Sequence, residues 1–175
     1  MFLISNFKGI GLVMSVCVLA SIFTARTNGM LGQTSFNDWR DDAEYYNARA
    51  LSLIHTGSLG EGQALFRRPP GYSFFLAAVY AVFGEHIFAA WIAHVLLFCG
   101  ALLLLWRVSM RFFAGWQALV PSLIVGLYGG FHVYVFQIGS EMFSVFLLLL
   151  FTFFFMRYRD DPRARYIMAC GVVAG

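Results

Sequence analysis

Charged residues are scarce in this sequence: Asp, Glu, Lys and Arg make up 12% of its 175 residues, whereas they make up about 25% of soluble globular domains. Apolar residues make up 60%. Apolar runs near the roughly 20 residues that a helix needs to cross a bilayer occur repeatedly along the chain. The composition therefore excludes a soluble domain and predicts an all-α, polytopic membrane helix bundle.

Several signatures of chemistry and binding are also missing. The three cysteines lie in apolar runs without CxxC or metal-ligand spacing, so we interpret them as small buried hydrophobic residues. His94 and His132 lie inside apolar runs, but neither has a second ligand at helical spacing. There is no glycine-rich phosphate loop and no basic run that suits a nucleic acid. We expect no nucleic-acid partner, and membrane lipids as the surroundings of the chain.

The apolar runs place the membrane spans. We predict four spans and the start of a fifth, over 9–25, 87–106, 116–136, 142–156 and from 166 onward. We interpret the first as an uncleaved span rather than a signal peptide, because it continues to Arg26 without an Ala-x-Ala cleavage site. We expect Gly126, Gly129 and Gly130 to loosen the third span.

The segment over 71–83 decides the orientation. As a helix it is only about 20 Å long, which is short for an apolar core of about 30 Å. If it does not span, one face carries most of the cations that flank the spans, and the positive-inside tendency makes this face cytoplasmic. These cations are Lys8, Arg107, Arg111, Arg157, Arg159, Arg163 and Arg165. The loop over 26–86, with its surface helices, and Glu141 then lie together on the extracytoplasmic face.

That loop carries the densest cluster of acids in the chain. Four of the nine acids of the whole chain, Asp38, Asp41, Asp42 and Glu44, occur within seven residues of this loop. Apolar residues at spacings of three and four predict a helix over 41–56. The acids favour its first turn through the helix dipole. Asp41 and Asp42 therefore project from the start of a surface helix.

These two aspartates are the best candidates for chemistry. A carboxylate can take a proton from an acceptor hydroxyl or amine, and paired oxygens can hold a hard divalent cation. Alternatively, the two acids only cap a surface helix and face water. Glu141 lies at the boundary of a span, where an ionisable residue is by default a functional hypothesis; the alternative is that its side chain reaches the interface and serves no chemistry.

Arg67 and Arg68 directly precede Pro69 and Pro70. A guanidinium suits bidentate pairing with a phosphate, so these arginines are candidates for binding a phosphate at headgroup depth. Ordinary anchoring to lipid headgroups explains them equally well.

The order of three motifs carries a family resemblance. The pattern D-x-x-x-Y-x-x-x-A occurs at Asp42, Tyr46 and Ala50; P-P-x-Y follows at 69–72; and an acid followed by apolar residues opens a later span at Glu141. In this the chain resembles the N-terminal part of the GT-C superfamily of membrane glycosyltransferases. It is most similar to bacterial relatives of the dolichyl-phosphate-mannose–protein mannosyltransferases and of the lipid A aminoarabinose transferase.

The resemblance implies a GT-C-like fold and an inverting transfer of a sugar from a polyprenyl-phosphate carrier. It also implies that the transfer takes place on the extracytoplasmic face of a bacterial inner membrane. The acceptor, a protein, lipid or glycan, is not indicated. A divalent metal ion at Asp42 and Glu141 is a further expectation. The residues that the resemblance implies are Asp42 (or Asp41, one position away) and Glu141 for catalysis, and Arg67, Arg68, Tyr46 and Tyr72 for substrate binding.

Two other functions remain open at this point. A membrane transporter or flippase would carry broken helices or ionisable groups in mid-span, and a non-catalytic assembly subunit would need neither. Because the sequence stops inside an apolar run, we expect it to be the N-terminal part of a longer protein and to be inactive alone.

Overall fold

The computed structural model describes residues 2–32, 41–60 and 68–174, with side chains over 8–32, 42–60 and 68–174. These ranges contain helices and no strand, which confirms the predicted all-α class. The α-helices of this part of the chain are α1 (Phe2–Thr27), α2 (Asp41–Thr56), α3 (Gly71–Phe83), α4 (Ile87–Ser109), α5 (Val120–Leu127), α6 (Gly129–Phe136), α7 (Glu141–Asp160) and α8 (Ala164–Ala174).

Three helices are long and apolar enough to cross a membrane. They are α1 from Lys8 onward, α4 and α7, with 20, 23 and 20 residues. At 1.5 Å per residue they are about 30–35 Å long, which matches the apolar core of a bilayer. Helix α3 has only 13 residues, so its length favours the surface position that the sequence predicts.

The predicted span over 116–136 is divided into two short helices. A 3-10 turn over Gly115–Leu119 leads into α5, and α6 follows after a bend of 62°. Tyr128 at the bend has an extended backbone, with φ −69° and ψ 115°. Glycine destabilises a helix relative to alanine, and the three glycines expected to loosen this span surround the bend. The described chain thus has three spans, or four if the bent pair counts as one.

Buried polar contacts join α1 and α4 to the bent pair. Ser21 on α1 shares a hydrogen bond of 2.7 Å with Nδ1 of His132 on α6, and Ser122 on α5 donates to the carbonyl of Leu102 at 3.0 Å. Gly126 packs directly against Cys17, where a Cβ atom would not fit. Small residues and interhelical hydrogen bonds replace the hydrophobic effect as the source of helix association in lipid.

Most of the cations that flank the spans lie near one end of the bundle. At this end Arg111, which follows α4, forms an ion pair with Asp160 at the end of α7. The other cations near this end are Lys8, Arg107, Arg157, Arg159, Arg163 and Arg165. At the opposite end Trp91 in the first turns of α4 donates to the carbonyl of Phe136 at 2.8 Å. Helices α2 and α3 lie at this second end, beside the start of α7.

Candidate functional site

Helix α2 attaches to the bundle by one apolar face. Ala43, Tyr46 and Ala50 are spaced by three and four residues and are all buried, and they pack towards α3. On the same side, Tyr80 of α3 donates a hydrogen bond to Oδ1 of Asn47 at 2.9 Å. This packing fixes the first turn of α2, and with it Asp42, over the start of α3.

Asp42 forms an ion pair with Arg68. Their side chains are 39% and 37% exposed, so the pair is open to water and to a ligand. Arg68 lies just before Pro69 and Pro70, after which α3 begins. The structure thus brings together a predicted catalytic acid and a predicted phosphate-binding cation. Arg67 lies outside the described residues, and Asp41 is described only as the first backbone position of α2.

A tyrosine pair connects this ion pair to the second predicted acid. Tyr46, one turn after Asp42 on α2, donates a hydrogen bond to Oγ of Ser140 at 3.3 Å. Its ring also meets the ring of Tyr72 edge-on, with centroids 4.9 Å apart. Ser140 immediately precedes Glu141. Three segments distant in sequence therefore meet at one junction: the first turns of α2, the start of α3 and the start of α7.

Glu141 is exposed at the first position of α7. Its carboxylate lies over Gly139, where a side chain would collide with it. Burial raises the pKa of Tyr72 well above its ordinary value of 10.0, and the charges of Tyr80 and Glu141 raise it further. Tyr72 therefore stays neutral and acts only as a hydrogen-bonding group, whereas Glu141 supplies negative charge beside it.

A cavity of about 650 Å³ opens beside this junction. Tyr46, Ser140 and Ser144 provide its polar wall, and Phe74, Phe143 and Leu147 provide part of its apolar wall; the last turn of α8 also lines it. The rings of Phe75 and Phe143 stack behind it, with centroids 4.9 Å apart. The cavity thus has both polar and apolar walls. Asp42 and Arg68 do not line it, but Pro69, the neighbour of Arg68, and Tyr46, one turn after Asp42, do.

The predicted divalent metal ion at Asp42 and Glu141 stays a prediction. Among the residues that the structure describes, no three His, Cys, Asp or Glu side chains come close enough to hold a metal ion together. The carboxylate of Asp42 is occupied by Arg68 instead.

Two residues of the site were not singled out as site residues by the sequence. Ser140 was not named as a candidate from the sequence, and its hydrogen bond to Tyr46 spans 94 positions. His94 was considered only as a weak metal ligand, but its Nε2 lies 2.7 Å from the hydroxyl of Tyr72. Both contacts are tertiary, so no local pattern signals them.

The comparisons with known proteins identify a family. Residues 67–175 match the family model described as dolichyl-phosphate-mannose-protein mannosyltransferase. This stretch is more than half of the chain; it includes Arg68, Tyr72 and Glu141 and begins after Asp42. Searches of curated proteins and of solved structures gave no significant match. The match confirms the resemblance seen in the motifs: the chain belongs to the dolichyl-phosphate-mannose-protein mannosyltransferase family of membrane glycosyltransferases.

Proposed function

We propose that this protein transfers a sugar from a polyprenyl-phosphate donor to an acceptor at the end of the bundle that carries Asp42 and Glu141. The observation that carries the proposal is a cavity with polar and apolar walls, whose lining residues Pro69 and Tyr46 are neighbours of the Asp42–Arg68 ion pair in the chain and on α2. A lipid-linked sugar has the same two parts, a charged phosphate-sugar head and an apolar tail.

The donor fits this junction by its chemistry. Its isoprenoid tail is compatible with the wall of Phe74, Phe143 and Leu147, which continues into the spans. Its phosphate is then close to the start of α3, where the guanidinium of Arg68 can form charge-assisted hydrogen bonds with two of its oxygens. The tyrosine and serine hydroxyls of the polar wall are available to the sugar.

The transfer follows from these positions. The carboxylate of Asp42 accepts the proton of the acceptor hydroxyl or amine, whose oxygen or nitrogen attacks the anomeric carbon of the sugar. The bond between that carbon and the phosphate oxygen breaks, and polyprenyl phosphate leaves as an anion stabilised by Arg68.

The ion pair makes the order of binding matter. Without a ligand, Asp42 and Arg68 neutralise each other. A donor phosphate competes for Arg68 and leaves the Asp42 carboxylate available to the acceptor. Hence the base is free only when the donor is in place, which favours transfer to the acceptor over unproductive acceptor binding.

The positive-inside tendency supports an extracytoplasmic site. Most of the cations that flank the spans lie at the end of the bundle opposite to Asp42, among them Lys8, Arg107, Arg111, Arg157 and Arg159, and such residues favour the cytoplasmic side. We accordingly propose a bacterial inner membrane location with the site on the outer face, where the acceptor is a protein, lipid or glycan.

Acid-to-amide variants test the assignment. We expect Asp42→Asn in the full-length protein to reduce consumption of radiolabelled polyprenyl-phosphate sugar by about 100-fold or more, the usual contribution of a general base. Asp41→Asn separates the two neighbouring aspartates, and Glu141→Gln tests the acid of α7. Wild-type activity in all three variants, at equal protein level, would overturn the assignment.

One observation favours a second function, that of a lipid flippase or transporter. The bend at Tyr128, with the buried His132 beside it, is the kind of broken helix that transporters use. The two functions can be separated with the labelled donor in vesicles that contain the protein, because a flippase moves the labelled lipid between leaflets without cleaving it.

A further inference from the structure

His94 is buried in α4 and bonded to the cavity wall. It is 0% exposed, and Tyr72, its partner through a 2.7 Å hydrogen bond, is 2% exposed. Tyr72 lines the cavity and meets Tyr46 edge-on. A polar pair in an apolar interior persists only when its groups satisfy each other. This pair therefore fixes the position of one particular ring in the wall.

The direction of the hydrogen bond depends on the tautomer of His94, and the surroundings of the ring favour one tautomer. Its ring also faces backbone carbonyls at the end of α6, at Tyr134, Val135 and Gln137. Nδ1 forms no hydrogen bond within the described residues, but these carbonyls favour a proton on Nδ1. Nε2 is then left as the acceptor for the Tyr72 hydroxyl. His94 thus lies between α3 and the segment that leads into α7.

We propose that His94 is a positioning residue for the lipid-linked donor: its Nε2 accepts a hydrogen bond from the Tyr72 hydroxyl and holds that ring against Tyr46 at the polar wall of the cavity. This role rests on the proposed transferase function. His94 does not line the cavity itself, so it acts on the donor only through Tyr72. Its effect should appear in the KM for the donor more than in kcat.

The chain supplies a matched control. His132 is also a buried histidine, 3% exposed, and it also shares a 2.7 Å hydrogen bond with a hydroxyl, that of Ser21. Neither His132 nor Ser21 lines the cavity. His132→Phe removes a comparable buried bond, and its effect on the stability of the bundle should resemble that of His94→Phe.

The test measures donor kinetics of the full-length protein in proteoliposomes. We expect His94→Phe and Tyr72→Phe each to raise the donor KM by about fivefold to tenfold, the equivalent of one buried hydrogen bond. The double variant should be no worse than either single one, because both remove the same bond. His94→Gln, which keeps an acceptor, should recover part of the affinity, and His132→Phe should leave the donor KM unchanged.

Three results would overturn the inference. An unchanged donor KM in His94→Phe, or in Tyr72→Phe should His94→Phe not fold, would remove the positioning role. Equal effects of His94→Phe and His132→Phe on the donor KM would show general loosening of the bundle. If the wild type consumes no polyprenyl-phosphate sugar, the proposed function fails and this role fails with it. If the wild type is active and the variants keep its donor KM, only the role of His94 is refuted.

Discussion

Replacement of Arg68 by Gln should separate substrate binding from stability. Arg68 pairs with Asp42, and both side chains are more than a third exposed. Exposed ion pairs contribute about 0–1 kcal/mol, because water and salt screen them. We therefore expect Arg68→Gln to lower the free energy of unfolding by less than about 1 kcal/mol. If the arginine were only structural, this would be its whole effect.

The expected effect on donor binding is larger. A hydrogen bond to a charged group contributes about 1.5–3 kcal/mol, and each 1.4 kcal/mol corresponds to a factor of about ten in affinity. Loss of the contact with the donor phosphate should thus raise the donor KM by about 10- to 150-fold. The donor KM of Arg68→Lys should lie between those of the wild type and Arg68→Gln, because lysine keeps the charge but not the bidentate geometry.

Arg111→Gln is the matched control. Arg111 forms the corresponding exposed ion pair with Asp160 at the opposite end of the bundle, with side chains 29% and 47% exposed. The Arg111→Gln substitution should lower the free energy of unfolding by an amount similar to Arg68→Gln and leave the donor KM unchanged. Thermal unfolding in detergent and initial rates in proteoliposomes supply the two readouts. An Arg68→Gln donor KM within a factor of about two of wild type, or an equal rise in Arg111→Gln, would refute the reasoning.

Two further predictions address the cavity and its buried tyrosine. Leu147→Trp should raise the donor KM, because Leu147 lines the cavity. Leu148→Trp should leave it unchanged, because Leu148 is 66% exposed on another face of α7. Initial rates with donors of different chain lengths measure both variants, and equal effects of the two substitutions would contradict the placement of the tail. Burial raises the pKa of Tyr72, so the folded state keeps a proton that the unfolded chain loses above about pH 10. The contribution of Tyr72 to the free energy of unfolding should be constant below that pH and decrease above it. The melting temperature of Tyr72→Phe should therefore fall less steeply above about pH 10 than that of the wild type. Identical pH profiles of the two proteins would contradict this.

The helices followed closely from sequence pattern. The prediction of a helix over 41–56 agrees with α2, and the short segment over 71–83 agrees with α3. Both are bounded by residues with strong local preferences, glycine after α2 and prolines before α3. The bend at Tyr128 was not predicted. Glycines weaken a helix, but whether the chain bends there depends on packing against α1 and α4, which the sequence does not display.

The site was only partly predictable, because its contacts are long-range. Asp42, Tyr46, Tyr72 and Glu141 were named from motifs, and the structure places them around one junction. Their catalytic and binding roles stay predictions. The ion pair of Asp42 with Arg68 and the hydrogen bond of Tyr72 with His94 join separate helices. No periodicity within one segment encodes such pairings.

The most direct test of the account asks which donor the protein uses. The full-length protein, purified into proteoliposomes, would be supplied with radiolabelled sugar either on polyprenyl phosphate or on a nucleotide, together with a membrane extract as the source of acceptor. The account predicts that sugar leaves the polyprenyl phosphate and that free polyprenyl phosphate accumulates, with no consumption of the nucleotide sugar. Intact lipid-linked donor after incubation, or transfer from the nucleotide sugar alone, would contradict it.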